Sequence, residues 1–340
     1  MSTLELAPYF HPTQIVLVDD DIDFLGNLTL QLEADLPYLL FDSTAKALSY
    51  INDKQMTQRS RRRFFRLQDS AGSEQRLALD IDAIGRELYF SDRFSQISVA
   101  MVDYAMPQMN GLDFCRQIRD PHIKKILFTG VASEEAAVAA FNDGVIDRYI
   151  RKSERYVYDN LNYTIRSLQL AHIRETFASA SDVFNVSAPS WLADDHVVSL
   201  METLRQRHRI VEYYLLDRPS GFMLIDGDGR MYRLVLASPE DHDEQVHRAQ
   251  TLGAPEACVR GLERREILLS PSLLTQADDA ASDALRHWAR YARPATALAS
   301  QHYGAWALFE ERDMPGASPA PDATFSRYLD WLDTVGYALM

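Results

Sequence analysis

Five polar residues in the first half of the sequence each stand at the end of a short apolar segment. They are Asp19, Asp20, Asp103, Thr129 and Lys152. Each segment has the length and the apolar, partly β-branched composition of a buried strand. Because ligands of an open parallel sheet bind beyond the carboxyl ends of its strands, we expect these side chains to meet in one crevice.

The expected crevice combines three carboxylates with a hydroxyl and an ammonium group. Carboxylates that are brought together repel one another unless a cation joins them, and Mg²⁺ prefers such hard oxygen ligands. A carboxylate can attack phosphorus and form an acyl phosphate. That reaction needs a metal ion and a fixed positive charge around the transferred group. In this interpretation Mg²⁺ and Lys152 supply the charges, and Thr129 supplies a hydroxyl donor.

Strand and helix signals alternate through the first half of the chain. The predicted strands span residues 14–18, 38–41, 97–102, 125–128 and 147–151, and predicted helices alternate with them. This alternation predicts an α/β fold with a doubly wound, five-stranded parallel sheet. Residues 54–95 interrupt the alternation. They are predicted to be an insertion with some structure of its own, because a plain connection takes only a handful of residues.

The second half of the chain has a different organisation. Three short strand segments at 213–216, 222–226 and 230–237 are separated by turn residues, which predicts an antiparallel meander. Residues 238–241 have the N-cap serine, the proline and the acidic residues of a helix start. We therefore predict a first domain of residues 1–178, with the insertion 54–95, and an α+β domain of residues 179–340.

Several segments of the first domain resemble the motifs of the receiver (CheY-like) family of two-component signalling. They are Ile15-Val-Leu-Val-Asp-Asp20, Asp103-Tyr-Ala-Met-Pro107 with Met109-Asn-Gly111, Ile126-Leu-Phe-Thr129 and Asp147-Arg-Tyr-Ile-Arg-Lys152. The resemblance covers residues 13–175 apart from the insertion, and it implies a flavodoxin-like receiver domain in a response regulator. The position of the insertion is also similar to that in Lqs-type quorum-sensing response regulators, whose output half is unlike DNA-binding domains.

The resemblance implies a role for each residue of the crevice. Asp103 would be the phosphoacceptor, and Asp19, Asp20 and the main-chain carbonyl of Ala105 would hold Mg²⁺ together with it. Thr129 and Lys152 would bind the phosphoryl group, and Tyr149 would be the aromatic switch residue. The implied partner is a sensor histidine kinase or a phosphotransfer protein.

Family members commonly dimerise when they are phosphorylated, and the resemblance implies the same for this chain. We expect the dimer face to comprise the helix at 133–142, the fifth strand and the helix at 154–176. The apolar centre of this face is predicted at Val157 and Leu161.

The charge of the second domain argues against DNA as its ligand. From residue 181 onwards there are 15 arginines and no lysine against 24 acidic residues, a balance of −9, and the whole chain has a net charge of −14. A domain that reads DNA usually has a surplus of cations for the phosphates. DNA binding is therefore not expected.

Two hypotheses for the second domain stay open. It is either an interaction or ligand-binding module or a divergent enzyme, for example one that acts on nucleotides. The first predicts a groove lined by residues such as Tyr213, Trp288 and Trp306. The second requires convergent polar groups, which the sequence does not display.

The remaining features of the sequence concern location and the insertion. No apolar run approaches the roughly 20 residues that cross a membrane. Cys115 and Cys258 are far apart in sequence, and we expect both to be buried in a reducing compartment, by default the cytoplasm.

The arginine-rich run 59–66 has two interpretations. It either binds nucleic acid or an acidic partner, or forms a solvated loop anchored by Phe64 and Phe65. The solvated loop is the favoured interpretation.

Overall fold

A computed structural model of the protein describes residues 6–53, 64–69, 75–130, 134–184, 189–274, 277–311 and 321–334. Arginines 61–63 and Arg59 lie outside these residues, so the two interpretations of the arginine-rich run stay open. Across the described ranges, no helix is both long and apolar enough to cross a membrane.

The elements are labelled in chain order. The strands are β1 (Tyr9–Phe10), β2 (Gln14–Val18), β3 (Tyr38–Phe41), β4 (Phe65–Asp69), β5 (Gln75–Leu79), β6 (Ile97–Val102), β7 (Lys124–Thr129), β8 (Arg148–Arg151), β9 (Ile210–Leu216), β10 (Gly221–Asp226), β11 (Met231–Ala237), β12 (Ile267–Leu269), β13 (Ala292–Pro294), β14 (Thr296–Ala297) and β15 (Ala305–Glu310). The α-helices are α1 (Ile22–Thr29), α2 (Thr44–Asp53), α3 (Ile81–Glu87), α4 (Gly111–Gln117), α5 (Glu134–Asn142), α6 (Val157–Phe184), α7 (Asp195–His208), α8 (Pro239–Thr251), α9 (Glu256–Glu263), α10 (Pro271–Leu274), α11 (Asp278–Leu285) and α12 (Phe325–Thr334).

The chain forms two compact units, and each unit is built from three separate stretches. The receiver unit comprises residues 11–78, 91–186 and 325–340, and the output unit comprises residues 1–10, 79–90 and 187–324. The units therefore differ from the predicted division at residue 178 in three places. Strand β1 and helix α3 belong to the output unit, and helix α12 belongs to the receiver unit.

The receiver unit contains a five-stranded parallel sheet in the order β3-β2-β6-β7-β8. This order and the helices that follow the strands confirm the predicted doubly wound, flavodoxin-like fold. The residues of β2, β3, β6 and β7 are all buried, because helices cover both faces of the sheet. The inserted strands β4 and β5 form a separate two-stranded sheet.

Helix α12 completes one face of the receiver core. Phe325 and Leu332 are buried, and the Phe325 ring packs 5.4 Å from the ring of Phe94. The Tyr328 ring lies 5.4 Å from the same phenylalanine, and Leu332 belongs to the core cluster that contains Val16 and Val18. The last described helix therefore supplies apolar side chains to the core beneath β2.

The output unit is built on a six-stranded antiparallel sheet in the order β1-β9-β10-β11-β15-β14. Strands β9, β10 and β11 form the predicted meander. Tyr213 is 1% exposed and packs between Phe10 and Phe222, so the prediction that it lines an open groove is wrong. Residues 212–215 of β9 are all buried, so this ring lies in the core of the unit.

Candidate functional site

Two of the predicted carboxylates are placed together by the register of three neighbouring strands. The main-chain N–H of Asp103 donates to the oxygen of Val18, and that of Asp19 donates to the oxygen of Phe41, at 2.9 and 3.1 Å. Each aspartate therefore directly follows the last residue of a parallel strand. Their side chains are almost wholly buried, at 9% and 7% exposed.

Lys152 joins the two carboxylates. Its Nζ atom lies 2.6 Å from Oδ2 of Asp19 and 2.8 Å from Oδ1 of Asp103. The position of the lysine is fixed by its main-chain N–H, which donates to the oxygen of Thr129 at 3.0 Å. Its ammonium group also stands 3.8 Å from the centre of the Phe24 ring, a cation–π contact that partly replaces lost hydration. The structure thus brings Asp19, Asp103 and Lys152 together.

The electrostatics of the pair follow from burial and hydrogen bonding. Burial raises the pKa of Asp19 above its ordinary value, and hydrogen bonds from Lys152 and from the main chain of Asp21 only partly offset this. Burial lowers the pKa of Lys152, but the hydrogen bonds to Asp103 and Asp19 outweigh it, so the pKa lies above its ordinary value. The lysine is therefore a fixed positive charge at neutral pH.

The third predicted acid is not buried with this pair. Asp20 is exposed, and among the described residues no three carboxylate, imidazole or thiol groups have the spacing of a metal site. Mg²⁺ usually keeps several waters and takes only one or two carboxylates from the protein. The convergent carboxylates of Asp19 and Asp103 fit that requirement, and their two negative charges face a single ammonium group.

The second oxygen of Asp103 is held by the loop that follows β6. Its Oδ2 atom accepts a hydrogen bond from the main-chain N–H of Ala105 at 2.6 Å. The N–H of Gly111 donates to the oxygen of Tyr104 at 3.0 Å, which closes the loop. Asn110 then caps helix α4 by accepting from the N–H of Asp113. The motif after β6 therefore fixes Oδ2 of the candidate phosphoacceptor, while Lys152 holds Oδ1.

Gly111 is required by a close approach of the backbone. A Cβ atom at this position would lie 2.2 Å from the main-chain oxygen of Asp103. We expect Gly111→Ala to lower the free energy of unfolding by about 1–3 kcal/mol, because the loop must move to relieve the overlap. Urea titration measures this. Gly26→Ala is the matched control, since that helical glycine has open space around its Cβ position; equal effects of the two substitutions would contradict the explanation.

The remaining predicted residues lie where their strands place them. Thr129 is buried at the end of β7, and Tyr149 is half-buried on β8, where it packs against the core cluster that contains Ala137 and Ala140. Phe24 was not predicted as part of the site. Nothing local in the sequence shows that its ring faces Lys152.

The predicted apolar centre of the dimer face is wrong. Val157 and Leu161 are 4% and 0% exposed and belong to the core between α6 and the sheet. The fifth receiver helix needs its apolar stripe to cover the strands. On α5, which belongs to the same face, Val138 and Phe141 are exposed apolar side chains three residues apart.

Comparison with known proteins supports the class defined by the fold and the crevice. The family model of the response regulator receiver domain matches residues 50–156. The match begins after β2 and β3. No match was found among curated proteins. The fold and this family match define a receiver domain.

One solved structure matches nearly the whole chain. It is the response regulator LqsR of Legionella pneumophila, which is 32% identical, with 97% of each chain covered and a TM-score of 0.75. The chain therefore belongs to the CheY-like response regulators of the Lqs type. Response regulator receiver domain proteins from Methanospirillum hungatei and Clostridium thermocellum are 20% and 19% identical. The matches cover 48% and 50% of this chain and 98% of each of those chains, with TM-scores of 0.33 and 0.32.

Proposed function

We propose that this response regulator accepts a phosphoryl group on Asp103 and thereby controls its output unit. The observation that supports this most strongly is the pair of buried carboxylates, Asp19 and Asp103, held by the single ammonium group of Lys152. A purely structural ion pair would not need a second buried acid. The donor of the phosphoryl group is a sensor histidine kinase or a phosphotransfer protein, and the expected compartment is the cytoplasm.

Each side chain of the crevice has a separate role in the proposed reaction. A carboxylate oxygen of Asp103 attacks phosphorus, a P–O bond to the acid forms, and the bond from phosphorus to the donor breaks. Lys152 stabilises the negative charge on the transferred group, and the hydroxyl of Thr129 donates to it once that hydroxyl is turned towards the crevice. Asp19, Asp20, Asp103 and the main-chain carbonyl of Ala105 would hold Mg²⁺, which supplies charge neutralisation when it is bound.

Labelling with a small phosphodonor tests this proposal. We expect the wild-type chain to accept phosphate from acetyl phosphate only when Mg²⁺ is present. Asp103→Asn should remove the labelling, because an amide cannot form the acyl phosphate. Asp20→Ala should raise the Mg²⁺ concentration that is needed. Labelling of Asp103→Asn at the wild-type level would contradict the proposal.

Phosphorylation is proposed to act through the face formed by α5, β8 and α6. The new negative charge on Asp103 draws the hydroxyl of Thr129 towards it, which leaves space for Tyr149 to turn inwards. The half-buried position of that tyrosine is compatible with such a rotation. The ligand shifts the equilibrium only by its preference for one state, so the response is graded. A homodimer on this face is the proposed result.

The dimer face gives a second testable prediction. We expect beryllofluoride with Mg²⁺ to raise the dimer fraction in sedimentation experiments. Phe141→Ala should weaken the dimer about 10-fold or more, since exposed aromatic side chains commonly dominate such interfaces. Leu30→Ala is the control, because that side chain is 79% exposed on the other side of the sheet, after α1. Equal masses with and without beryllofluoride over a range of concentrations would refute the coupling.

The output unit is proposed to act without binding DNA. Its acidic balance and lack of lysine leave few cations for phosphates. Several of its arginines are engaged within the unit: Arg233 pairs with Glu311 at 2.7 Å, and Arg205 stands 5.0 Å from the ring of Phe10. Of the two hypotheses for the output unit, an interaction module requires no additional group of side chains. An enzyme requires polar side chains that converge at one site.

A further inference from the structure

The output unit contains one group of polar side chains that converge from distant parts of the sequence. The Oγ atom of Ser190 lies 3.2 Å from Nε2 of His302. On the other side of the same ring, Nδ1 lies 3.8 Å from Oδ2 of Asp194. A hydroxyl, an imidazole and a carboxylate are therefore arranged in the order of a nucleophile, its base and the group that orients the base.

Three separate elements position these residues. Ser190 opens the short 3₁₀ helix Ser190–Ala193, Asp194 is the N-cap of α7, and His302 stands in the loop between β14 and β15. The residues that follow the serine and the histidine are packed together. The rings of Trp191 and Tyr303 meet edge to face at 5.5 Å, and both are buried. This aromatic contact holds the serine and the histidine next to each other.

The carboxylate of Asp194 is fixed and ionised. Its Oδ1 atom accepts from the N–H of His196, and its Oδ2 atom accepts from the hydroxyl of Ser300 at 2.8 Å and from the N–H of Gln301 at 3.2 Å. Burial alone raises the pKa of Asp194, but these hydrogen bonds outweigh it and lower the pKa below its ordinary value. A carboxylate beside Nδ1 favours the proton on that nitrogen. Nε2 is then free to accept the hydroxyl proton of Ser190.

Accessibility separates the roles of the three side chains. The Asp194 side chain is 8% exposed, whereas that of His302 is 40% exposed, and Ser190 is exposed as well. Solvent and a substrate can therefore reach the hydroxyl. The separation between His302 and Asp194 is longer than a hydrogen bond, as is common before a substrate binds, and such contacts shorten in the reacting complex.

A purely structural role explains only part of the arrangement. The bonds from Ser300 and Gln301 to Asp194 hold the loop against the start of α7. They do not require a hydroxyl at the opposite nitrogen of the His302 ring. The hydrogen bond between that nitrogen and Ser190 joins two exposed side chains, and exposed contacts of this kind add little to stability.

We propose that Ser190, His302 and Asp194 form an acyl-transfer site that hydrolyses carboxylic esters. The Oγ atom of Ser190 attacks the ester carbonyl carbon, and its proton passes to Nε2 of His302. The bond from the carbonyl carbon to the leaving alcohol breaks, and the alcohol takes that proton. Water then attacks the acyl group on Ser190, the carboxylic acid leaves, and the serine hydroxyl is restored. Because the site is open, the substrate class is a small ester or an ester presented at a surface.

Labelling of the full-length chain with a fluorophosphonate tests this proposal. The probe forms a P–O bond with an activated serine and releases fluoride, and peptide mapping by mass spectrometry locates the adduct. We expect a single adduct on Ser190 and measurable hydrolysis of p-nitrophenyl acetate. Ser190→Ala should abolish the adduct, and His302→Gln should slow its formation about 100-fold, the usual contribution of a general base. Ser199→Ala is the control, since that serine is exposed on α7.

The outcomes distinguish catalysis from structure. Absence of an adduct on the wild-type chain, or equal labelling of Ser190→Ala, would overturn the proposal. Equal labelling rates of wild type and His302→Gln would also overturn it, because the histidine would then not act as the base. Circular dichroism of each variant confirms that the fold is retained. The labelling is measured without a phosphodonor, so its outcome does not depend on whether Asp103 accepts a phosphoryl group.

Discussion

A fragment of residues 179–340 is expected to be largely unfolded under conditions in which the full chain is folded. The reason is that the output unit includes two segments from before residue 178. Strand β1 pairs with β9, with Phe10 opposite Tyr213, and the N–H of Leu215 donates to the oxygen of Pro8 at 2.8 Å. Helix α3 also lies against β9. The fragment would expose one edge of the sheet and part of its apolar surface.

The expected loss can be estimated from the buried side chains. The two missing segments bury Phe10, Ile84 and Leu88 at 9%, 0% and 2% exposed. Burial of such a side chain contributes about 1.5–3 kcal/mol, so three of them contribute about 5–9 kcal/mol. This is comparable to the whole stability of an ordinary domain, about 5–15 kcal/mol. Far-UV circular dichroism and urea titration of the fragment measure the loss directly.

A single substitution in the full chain tests the contribution of α3 to the output core without truncation. Ile84→Ala should lower the free energy of unfolding by about 2–5 kcal/mol, as large-to-small changes in a core do. The matched control is Leu30→Ala at an exposed position, which should change it by less than about 0.5 kcal/mol. A fragment that unfolds cooperatively, together with a neutral Ile84→Ala, would show that α3 is not part of the output core.

Lys152→Met is expected to slow phosphorylation by acetyl phosphate about 100-fold. The substitution keeps an unbranched side chain that is one atom shorter, and it removes the charge that lies 2.6 Å from Asp19 and 2.8 Å from Asp103. Removal of one fixed charge or donor from a developing anion typically costs a factor of about 10²–10³. The contact with the Phe24 ring survives as an apolar one, so the fold should be retained.

The control and the readout separate chemistry from folding. Lys46→Met removes an exposed lysine from α2 and should leave the rate unchanged. Initial rates of labelling, measured at saturating Mg²⁺, give the comparison. A wild-type rate in Lys152→Met would show that the lysine only balances the charge of the resting protein.

The receiver crevice could be predicted from the sequence because its positions follow from local patterns. The apolar strands and the helices after them determine the order of a parallel sheet. That order places Asp19 and Asp103 side by side. The side-chain details were less accessible. Asp20 comes directly after Asp19 in sequence, yet it faces solvent. The apolar periodicity that predicts α6 does not distinguish a stripe buried in the core from one buried in a dimer. The prediction that Val157 and Leu161 lie in a dimer face was wrong for this reason.

The contents of the two units could not be predicted, because short segments do not encode their distant partners. Strand β1 has two residues, and α3 and α12 have seven and ten. Their apolar residues predict burial but not the core in which they are buried. The same limit applies to Ser190 and His302, which are 112 residues apart. The packing of Trp191 against Tyr303 and the hydrogen bonds from Ser300 and Gln301 to Asp194 bring them together.

Chemical mapping of the phosphorylated residue tests most directly the proposal that Asp103 accepts the phosphoryl group. The wild-type chain is incubated with acetyl phosphate and Mg²⁺, the acyl phosphate is reduced with borohydride, and the peptides are mapped by mass spectrometry. Reduction converts a phosphorylated aspartate to homoserine, so the modified residue is marked by its mass. The account predicts homoserine at position 103 and at no other aspartate. Homoserine at another position, or an acid-stable phosphate on a hydroxyl group with Asp103 unchanged, would contradict it.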